Sequence, residues 1–290
     1  MKIEKSPRIF VKEGLEINSW ESIKPYFEDL TNRELASESD FQKWLKDRSE
    51  LDAILEEDAA WRYIKMTIDT TNQSFSDAYK QFVTEIQPQF APFEDLLNKK
   101  MIDSPFASAD GKSQAYQIYH RSVQAALKLF REENIALEAE MNDKSQEFGS
   151  ISGAQTIEHN GDVMTMQKAS MLLKEQDEAL RKTIFEKMNA RRAEDKDKLN
   201  NLYNELIQLR HQIAVNAGFE NYRDYKFVSL GRFDYTKEDC FAFHQAIKSE
   251  IVPLVKQIQQ KKLDKLGKTQ FKPWDTELDP DGLAPLKPFS

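Results

Sequence analysis

Apolar residues recur along most of this chain three and four positions apart, the period of a helix with one buried face. Trp20 to Leu30 is the first such stretch. Ser37-x-x-Asp40 resembles a capping box and predicts a helix start near Glu38; Phe41, Trp44, Leu45, Leu51, Ile54 and Leu55 then carry the period to about Met66. Thr67 to Ser74 is a polar break rich in turn formers. A further helix is predicted over about Phe75 to Ile86, before Pro88, and Pro92 stands where another could begin, since a first turn needs no N–H there. Met101 to Lys112 reads as a loop. One long helix is expected from Ser113 to Glu147, with Tyr116, Ile118, Val123, Leu127, Phe130, Ile135 and Leu137 on its apolar stripe.

The period changes to two only between Ile151 and Met166. Ala154–Glu158 and Asp162–Met166 flank His159-Asn160-Gly161, and Asn-Gly between extended runs predicts a tight hairpin because both residues tolerate positive φ. Such a hairpin could serve as a lid or as a passive edge. Helix resumes near Ala169, passes a charged run at Arg191–Lys198, and continues with Leu199, Leu202, Leu206, Leu209 and Ile213 as a packing seam that stops at Gly218. Thr236-x-x-Asp239 predicts the next start, with Phe243, Ile247, Ile251, Leu254 and Ile258 as its buried face and Pro253 as a kink. The expected fold is mainly α, a multi-helix array with one small β-hairpin near residues 151–168. Its expected divisions are an amino-terminal helical domain with the hairpin (1–185), a second helical segment (186–270) and an extended Pro-rich tail (271–290).

Composition narrows the function. Hydrophobic residues are 40% and charged residues 31%, with only 9 Gly and 10 Pro, which suits a helical protein with a substantial core. Net charge is −8, and an acidic chain repels phosphate backbones; the basic stretch Lys256–Lys272 reads as a solvated face, so nucleic acid is excluded as an expected partner. No apolar run approaches the ~20 residues of a membrane span, and the amino terminus lacks a signal-like apolar region. The single cysteine, Cys240, rules out an intramolecular disulfide and reads as a structural thiol, which fits a reducing cytoplasm.

Candidate chemistry is sparse. The four histidines are His120, His159, His211 and His244; four places after each stand Gln124, Val163, Val215 and Lys248, and none is followed by Glu. Two imidazoles one helical turn apart with a neighbouring carboxylate are what a helix-borne zinc hydrolase site requires, so that motif is absent. No Gly-x-Ser-x-Gly elbow, phosphate-cradling loop or dinucleotide fingerprint occurs either. No catalytic and no metal-ligating residue is therefore expected. The loop around Phe219–Tyr235 is richer: Tyr222, Arg223, Tyr225, Arg232 and Tyr235 offer donors and flat surfaces suited to peptide backbone or a terminal carboxylate. The same side chains could instead brace two helices.

The stretch Leu209–Phe243, with Ala217-Gly218-Phe219-x-Asn221-Tyr222-Arg223-Asp224-Tyr225, Gly231-Arg232-Phe233-Asp234-Tyr235 and Cys240-x-x-Phe243-His244, resembles the oligoendopeptidase F branch of the thimet-oligopeptidase family. Weaker similarity includes the hairpin near Asn160-Gly161 and the Pro273-Trp274-Asp275 step. The whole chain is similar to the amino-terminal half of such an enzyme, ending before the His-Glu-x-x-His motif. The resemblance implies half of a two-lobed, channel-type metallopeptidase fold, with residues 186–270 as the first helices of the peptidase domain. It also implies zinc-dependent hydrolysis of short peptides, the metal polarising the scissile carbonyl and the motif Glu acting as base. The zinc ligands would lie in a carboxy-terminal catalytic half, on the same or a separate chain, so this chain is expected to bind no zinc and to be inactive alone. A truncated or split peptidase should then show an apolar face, expected to include the Leu199–Ile213 seam. The alternative is a stand-alone helical peptide-binding or interaction protein without catalysis, whose seam is satisfied within the chain.

Overall fold

The computed structural model describes residues 7–283; the last prolines of the expected tail, Pro285 and Pro288, lie outside the described residues. The fold is mainly α with one two-stranded antiparallel sheet. The helices are α1 (Trp20–Asn32), α2 (Glu38–Ile68), α3 (Gln73–Gln81), α4 (Gln87–Asp103), α5 (Gln114–Leu129), α6 (Asn134–Gly153), α7 (Met166–Met171), α8 (Glu178–Glu194), α9 (Lys196–Asn216), α10 (Tyr222–Ser229), α11 (Lys237–Ala246) and α12 (Val252–Lys265). Strands β1 (Thr156–His159) and β2 (Asp162–Thr165) form the hairpin.

Two compact units divide the chain, residues 1–150 with 202–232 and residues 151–201 with 233–290. Each is made of two stretches of the chain.

In the first unit the core is built by α1, α2 and α4. Ile23, Phe27, Leu30, Phe41, Trp44 and Leu97 are almost wholly buried, and Phe27 stacks on Phe90 with ring centroids 5.6 Å apart. Each such side chain contributes ~1.5–3 kcal/mol of burial. The Trp44 indole donates to the Leu30 carbonyl at 2.9 Å, which satisfies its one polar atom. Ser37 caps α2 as its sequence predicts, its Oγ accepting from Asp40 N–H at 3.2 Å.

Three expectations fail in this unit. Helix does not stop before Pro88: a π turn at Phe82–Ile86 leads directly into α4, which contains both Pro88 and Pro92. The Gln87 N–H bonds the Phe82 carbonyl, and this wide turn just before the proline eases the clash its ring would make with the preceding turn. Met101–Asp103 still belong to α4, and the loop begins at Ser104. The single helix expected from Ser113 to Glu147 is two, broken at Phe130–Glu133. Phe130 is extended (ψ 131°), Arg131 donates from Nε to Asn216 O at 3.1 Å, and Asn134 Nδ2 donates to Ile213 O at 3.0 Å. Long-range hydrogen bonds hold that break, which no local composition marks.

In the second unit the hairpin pairs Thr156 with Thr165 and Ile157 with Met164. Asn160 (φ 55°) and Gly161 (φ 84°) form its turn, both in the left-handed region that Asn-Gly permits. The hairpin is shorter than expected, because Ile151–Gly153 end α6 and Met166 opens α7. Ile157, Met164, Met166, Ala169, Ile184 and Met188 form this unit's core.

The segment after Gly267 is not a loose tail. Pro273–Asp275 makes a 3-10 turn whose Asp275 is fully buried and paired with buried Arg181 at 2.9 Å, and Leu278 is also buried. The face of α11 and α12 expected to be buried is open: Phe243 is 65% exposed, Leu254 51% and Ile258 58%. Pro253 is accommodated as Pro88 is, by a preceding π turn, Ile247–Ile251. No described helix is long and apolar enough to cross a membrane.

Candidate functional site

Four of the five loop candidates lie in the first unit. Gly218, at φ 83°, ends α9 and lets the chain turn; Asn221 then caps α10, its Oδ1 accepting from Asp224 N–H at 3.0 Å. This cap places Tyr222 and Tyr225 on one face of α10, with rings stacked 5.7 Å apart. Phe219 meets Tyr225 edge-on, also at 5.7 Å, and the Arg210 guanidinium lies 5.9 Å from the Tyr222 ring. Tyr225 is buried, and its hydroxyl donates to Glu138 Oε1 at 3.3 Å. Burial raises the Tyr225 pKa and the Glu138 carboxylate beside it raises it further, so it stays a neutral donor. Burial also raises Glu138, opposed by the tyrosine's hydrogen bond. Tyr222 and Tyr225 thus knit α10 to α6 and α9.

Arg223 is exposed and pairs with Asp224 at 2.8 Å. Arg232 is exposed as well, with its guanidinium 4.9 Å from the Phe227 ring. Tyr235 belongs to the second unit and is 45% exposed. The structure therefore brings Tyr222 and Tyr225 together, while Arg223 and Arg232 stand in separate local contacts.

Sequence reasoning missed a second group of polar residues inside the first unit. A cavity of about 700 Å³ is lined by Arg48, Asp52, Glu56, Glu94 and Asn98 together with apolar and aromatic residues of α2, α3, α4 and α5. A neighbouring cavity of about 230 Å³ shares Glu94 and Asn98 and reaches Arg131, Glu138 and Tyr225. Arg48 is 6% exposed; its Nη2 donates to Asn98 Oδ1 at 2.5 Å, while Nε and Nη1 have no hydrogen-bond partner. The Asp52 carboxylate lies 3.6 Å from Nε, an ion pair too long to be a hydrogen bond. Burial, and then the charge of Asp52, push the Glu94 carboxyl up to about 7 against the pull of Arg48. Burial raises Asp52 too, with Arg48 opposing. A signal was present in the sequence: Arg48 falls in step with Trp44, Leu51 and Leu55, on the apolar stripe of α2.

The four histidines do not assemble, and among the described residues no three His, Cys, Asp or Glu side chains converge to hold a metal ion. The residues described here do not fit a zinc centre, and no catalytic step through zinc is derived from them.

Two family models match the chain, one described as the Peptidase M3 N-terminal domain over residues 10–130 and one as Peptidase family M3 over residues 171–285. No curated protein matches it by sequence. A crystal structure assigned as an oligoendopeptidase F from Bacillus anthracis str. Ames superposes with a TM-score of 0.85 at 19% identity, covering 94% of this chain and 50% of that one. PZ peptidase A, solved with an inhibitor, gives 0.86 at 20% identity over 94% and 49%. The oligoendopeptidase-F from Enterococcus faecium gives 0.70 at 14% identity over 92% and 54%. This chain spans about half the length of these solved structures, and at such identities the likeness establishes a shared fold. The fold is the helical one of the oligoendopeptidase F structures, and both sequence matches fall in one family, in the order amino-terminal domain first: the chain belongs to peptidase family M3.

Proposed function

We propose that this chain is the non-catalytic amino-terminal portion of a zinc-dependent oligoendopeptidase, forming one wall of a channel in which short peptides are hydrolysed. The observation that carries this reading is the open apolar face of α11 and α12. Phe243, Ile247, Ile251, Leu254 and Ile258 repeat at helical spacing and are all exposed. Contiguous apolar surface of this kind marks a face that another polypeptide covers. The half-length match to the oligoendopeptidase F structures supports a carboxy-terminal catalytic half as that polypeptide, on the same or a separate chain. When bound there, zinc would supply a Lewis acid and an activated water. In this reading residues 186–270 open the peptidase domain, the exposed Arg223, Arg232 and Tyr235 are the candidates for peptide contact, and the compartment is the cytoplasm.

One observation favours the alternative, a stand-alone helical binding protein: Leu202, Leu206 and Ile213 of the α9 seam are buried within the chain rather than left open. The readings separate on two measurements. The isolated chain with one equivalent of zinc should show no chelator-sensitive cleavage of a quenched fluorescent peptide, and turnover would overturn the non-catalytic assignment. The coding sequence downstream of Ser290, or a second gene, should encode His-Glu-x-x-His; if neither does, the binding-protein reading replaces the first.

A further inference from the structure

A helix in water keeps its shape chiefly by packing one face on a neighbour, and a short helix without such cover is marginal. From Lys237 to Lys265 the chain runs on as helix through α11, the π turn Ile247–Ile251 and α12. Its two ends are held. Thr236 and Asp239 cap the start reciprocally. At the far end Leu263 is buried, Lys262 Nζ donates to the Thr276 carbonyl at 2.8 Å, and Lys265 pairs with Asp281 at 2.6 Å. Between these anchors every residue from 241 to 260 is exposed. The side-chain hydrogen bonds of this span are local: Ser249 Oγ donates to the Ala246 carbonyl at 3.3 Å and Gln260 to Asp264 at 2.8 Å.

Intrinsic propensity does not make up for the missing cover. Ile247, Ile251, Val252, Val255 and Ile258 are β-branched, and Phe241 and Phe243 are aromatic, types that lose side-chain freedom in a helix. The π turn accommodates the Pro253 ring but does not replace its missing N–H. Helix growing from the Leu263 anchor must therefore cross the proline, and helix growing from the Thr236 cap must cross the wide turn. The stretches on either side, 241–252 and 254–260, do not exceed the ~12–15 residues below which isolated helices are marginal even when Ala-rich.

We propose that residues 241–260 are a fold-on-docking element: in the chain by itself they interconvert between helix and coil, and they lock as helix when the catalytic half covers their apolar face. The choice of occupant rests on the peptidase reading; the helix–coil behaviour does not. Burial of the exposed Phe243, Ile247, Ile251, Leu254 and Ile258 supplies the favourable term that ordering lacks in the isolated chain. The held ends keep the segment in place for its partner while its middle stays adaptable.

Hydrogen exchange of the full chain, read by mass spectrometry, tests this. Amides of residues 243–258 should exchange no more than about tenfold slower than in an unstructured peptide, while those of α9 around Leu206 and Ile213 should be protected at least about a hundredfold. Pro253→Ala, at an exposed position, removes the poorest helix former and should slow exchange across 247–258 at least about threefold. Greater protection of the native segment, or exchange unchanged in Pro253→Ala, would overturn the proposal. A polypeptide carrying His-Glu-x-x-His, encoded downstream of Ser290 or by a second gene, should slow exchange of 243–258 at least about a hundredfold on binding. Binding that leaves the segment fast would overturn the docking step while sparing the peptidase reading. If no such polypeptide binds, the peptidase reading and the docking step fail together, and exchange in the isolated chain still decides the helix–coil behaviour.

Discussion

Asp275→Asn should be the most destabilising near-isosteric change in the second unit. Asp275 is fully buried and accepts from Arg181 Nη2 at 2.9 Å, from Lys268 Nζ at 2.8 Å and from Lys272 N–H at 3.1 Å. The substitution keeps the shape and removes the charge. Lys268 is partly exposed and already pairs with Glu178 at 3.0 Å, so its loss is small. Arg181 is 1% exposed and cannot reach water. Breaking a buried ion pair from one side costs ~3–5 kcal/mol. Arg181 keeps the carbonyls of Glu175, Gln176 and Trp274 at 2.8–3.0 Å, which places the expected cost near the low end, about 3 kcal/mol. Urea unfolding monitored by hydrogen exchange within the second unit reads it as a lower midpoint at unchanged slope. The double variant Arg181→Met/Asp275→Leu should recover most of the loss, since an apolar pair of similar volume removes the stranded charge. The acid dependence follows the same pairing. Burial alone would raise the Asp275 pKa, but hydrogen bonds from Lys268, Arg181 and the Lys272 N–H together hold it below its ordinary value. A depressed carboxylate stabilises above its unfolded pKa of about 4 and loses that contribution as pH falls through the folded value, so native Asp275 should add acid sensitivity below about pH 4 that Asp275→Asn lacks. A cost under about 1 kcal/mol, or a double variant worse than the single, would refute the reasoning.

Three further outcomes follow from the geometry. Phe243→Asp and Leu254→Lys, on the open face of α11 and α12, should change stability of the isolated chain by no more than about 0.5 kcal/mol while lowering its binding of a hydrophobic dye; a loss several times larger in thermal unfolding would mean the face is covered within the chain. Asn134→Ala should cost about 2 kcal/mol in chemical denaturation, because it strands the Ile213 carbonyl and the Asn216 amide, which Asn134 partners at 3.0 and 2.7 Å. Tyr225→Phe should cost about 1 kcal/mol and raise the Glu138 pKa further by removing its one hydrogen-bond donor from this residue. Glu138 already titrates above its unfolded value, so the variant's stability should fall more steeply than native as pH rises through that folded pKa, as followed by thermal melts across pH.

What the sequence made legible was whatever local chemistry decides. Ser37, Thr236 and Gly218 mark helix ends because a hydroxyl or a positive φ suffices to set them, and Asn160-Gly161 marks the hairpin for the same reason. The break at Phe130–Glu133 left no such mark, since the groups that hold it, Asn216, Ala217 and Ile213, are about 80 residues away along the chain. Pro88 misled in the opposite sense: it looked like a stop, and a wide turn just before it lets the helix continue, as another does before Pro253. In the loop, aromatic and charged residue types identified a dense cluster but could not say that Tyr225 points inward to Glu138 while Arg223 stays outside. Arg48, Asp52 and Glu56 fall at successive fourth positions, a spacing that a solvated ion-pair ladder would share. The place of Arg48 among Trp44, Leu51 and Leu55 was the better guide.

Periodicity names the face of a helix that seeks cover without saying whether the cover is present, and the contrast between α9 and α11–α12 turns on this. Both carry apolar residues at three- and four-residue spacing. On α9 the seam residues Leu202, Leu206 and Ile213 are shielded within the chain, whereas on α11 and α12 the equivalent positions are open. At ~1.5–3 kcal/mol for each large apolar side chain fully buried, and with the five positions from Phe243 to Ile258 each 36–65% exposed, on the order of 5 kcal/mol of burial is not realised here. That is the lower end of the whole stability of a typical domain. A stand-alone binding protein would carry this surface as an aggregation liability with no offsetting gain. A chain that packs against a second polypeptide would use it, which is why the open face weighs more than the covered seam in choosing between the two readings.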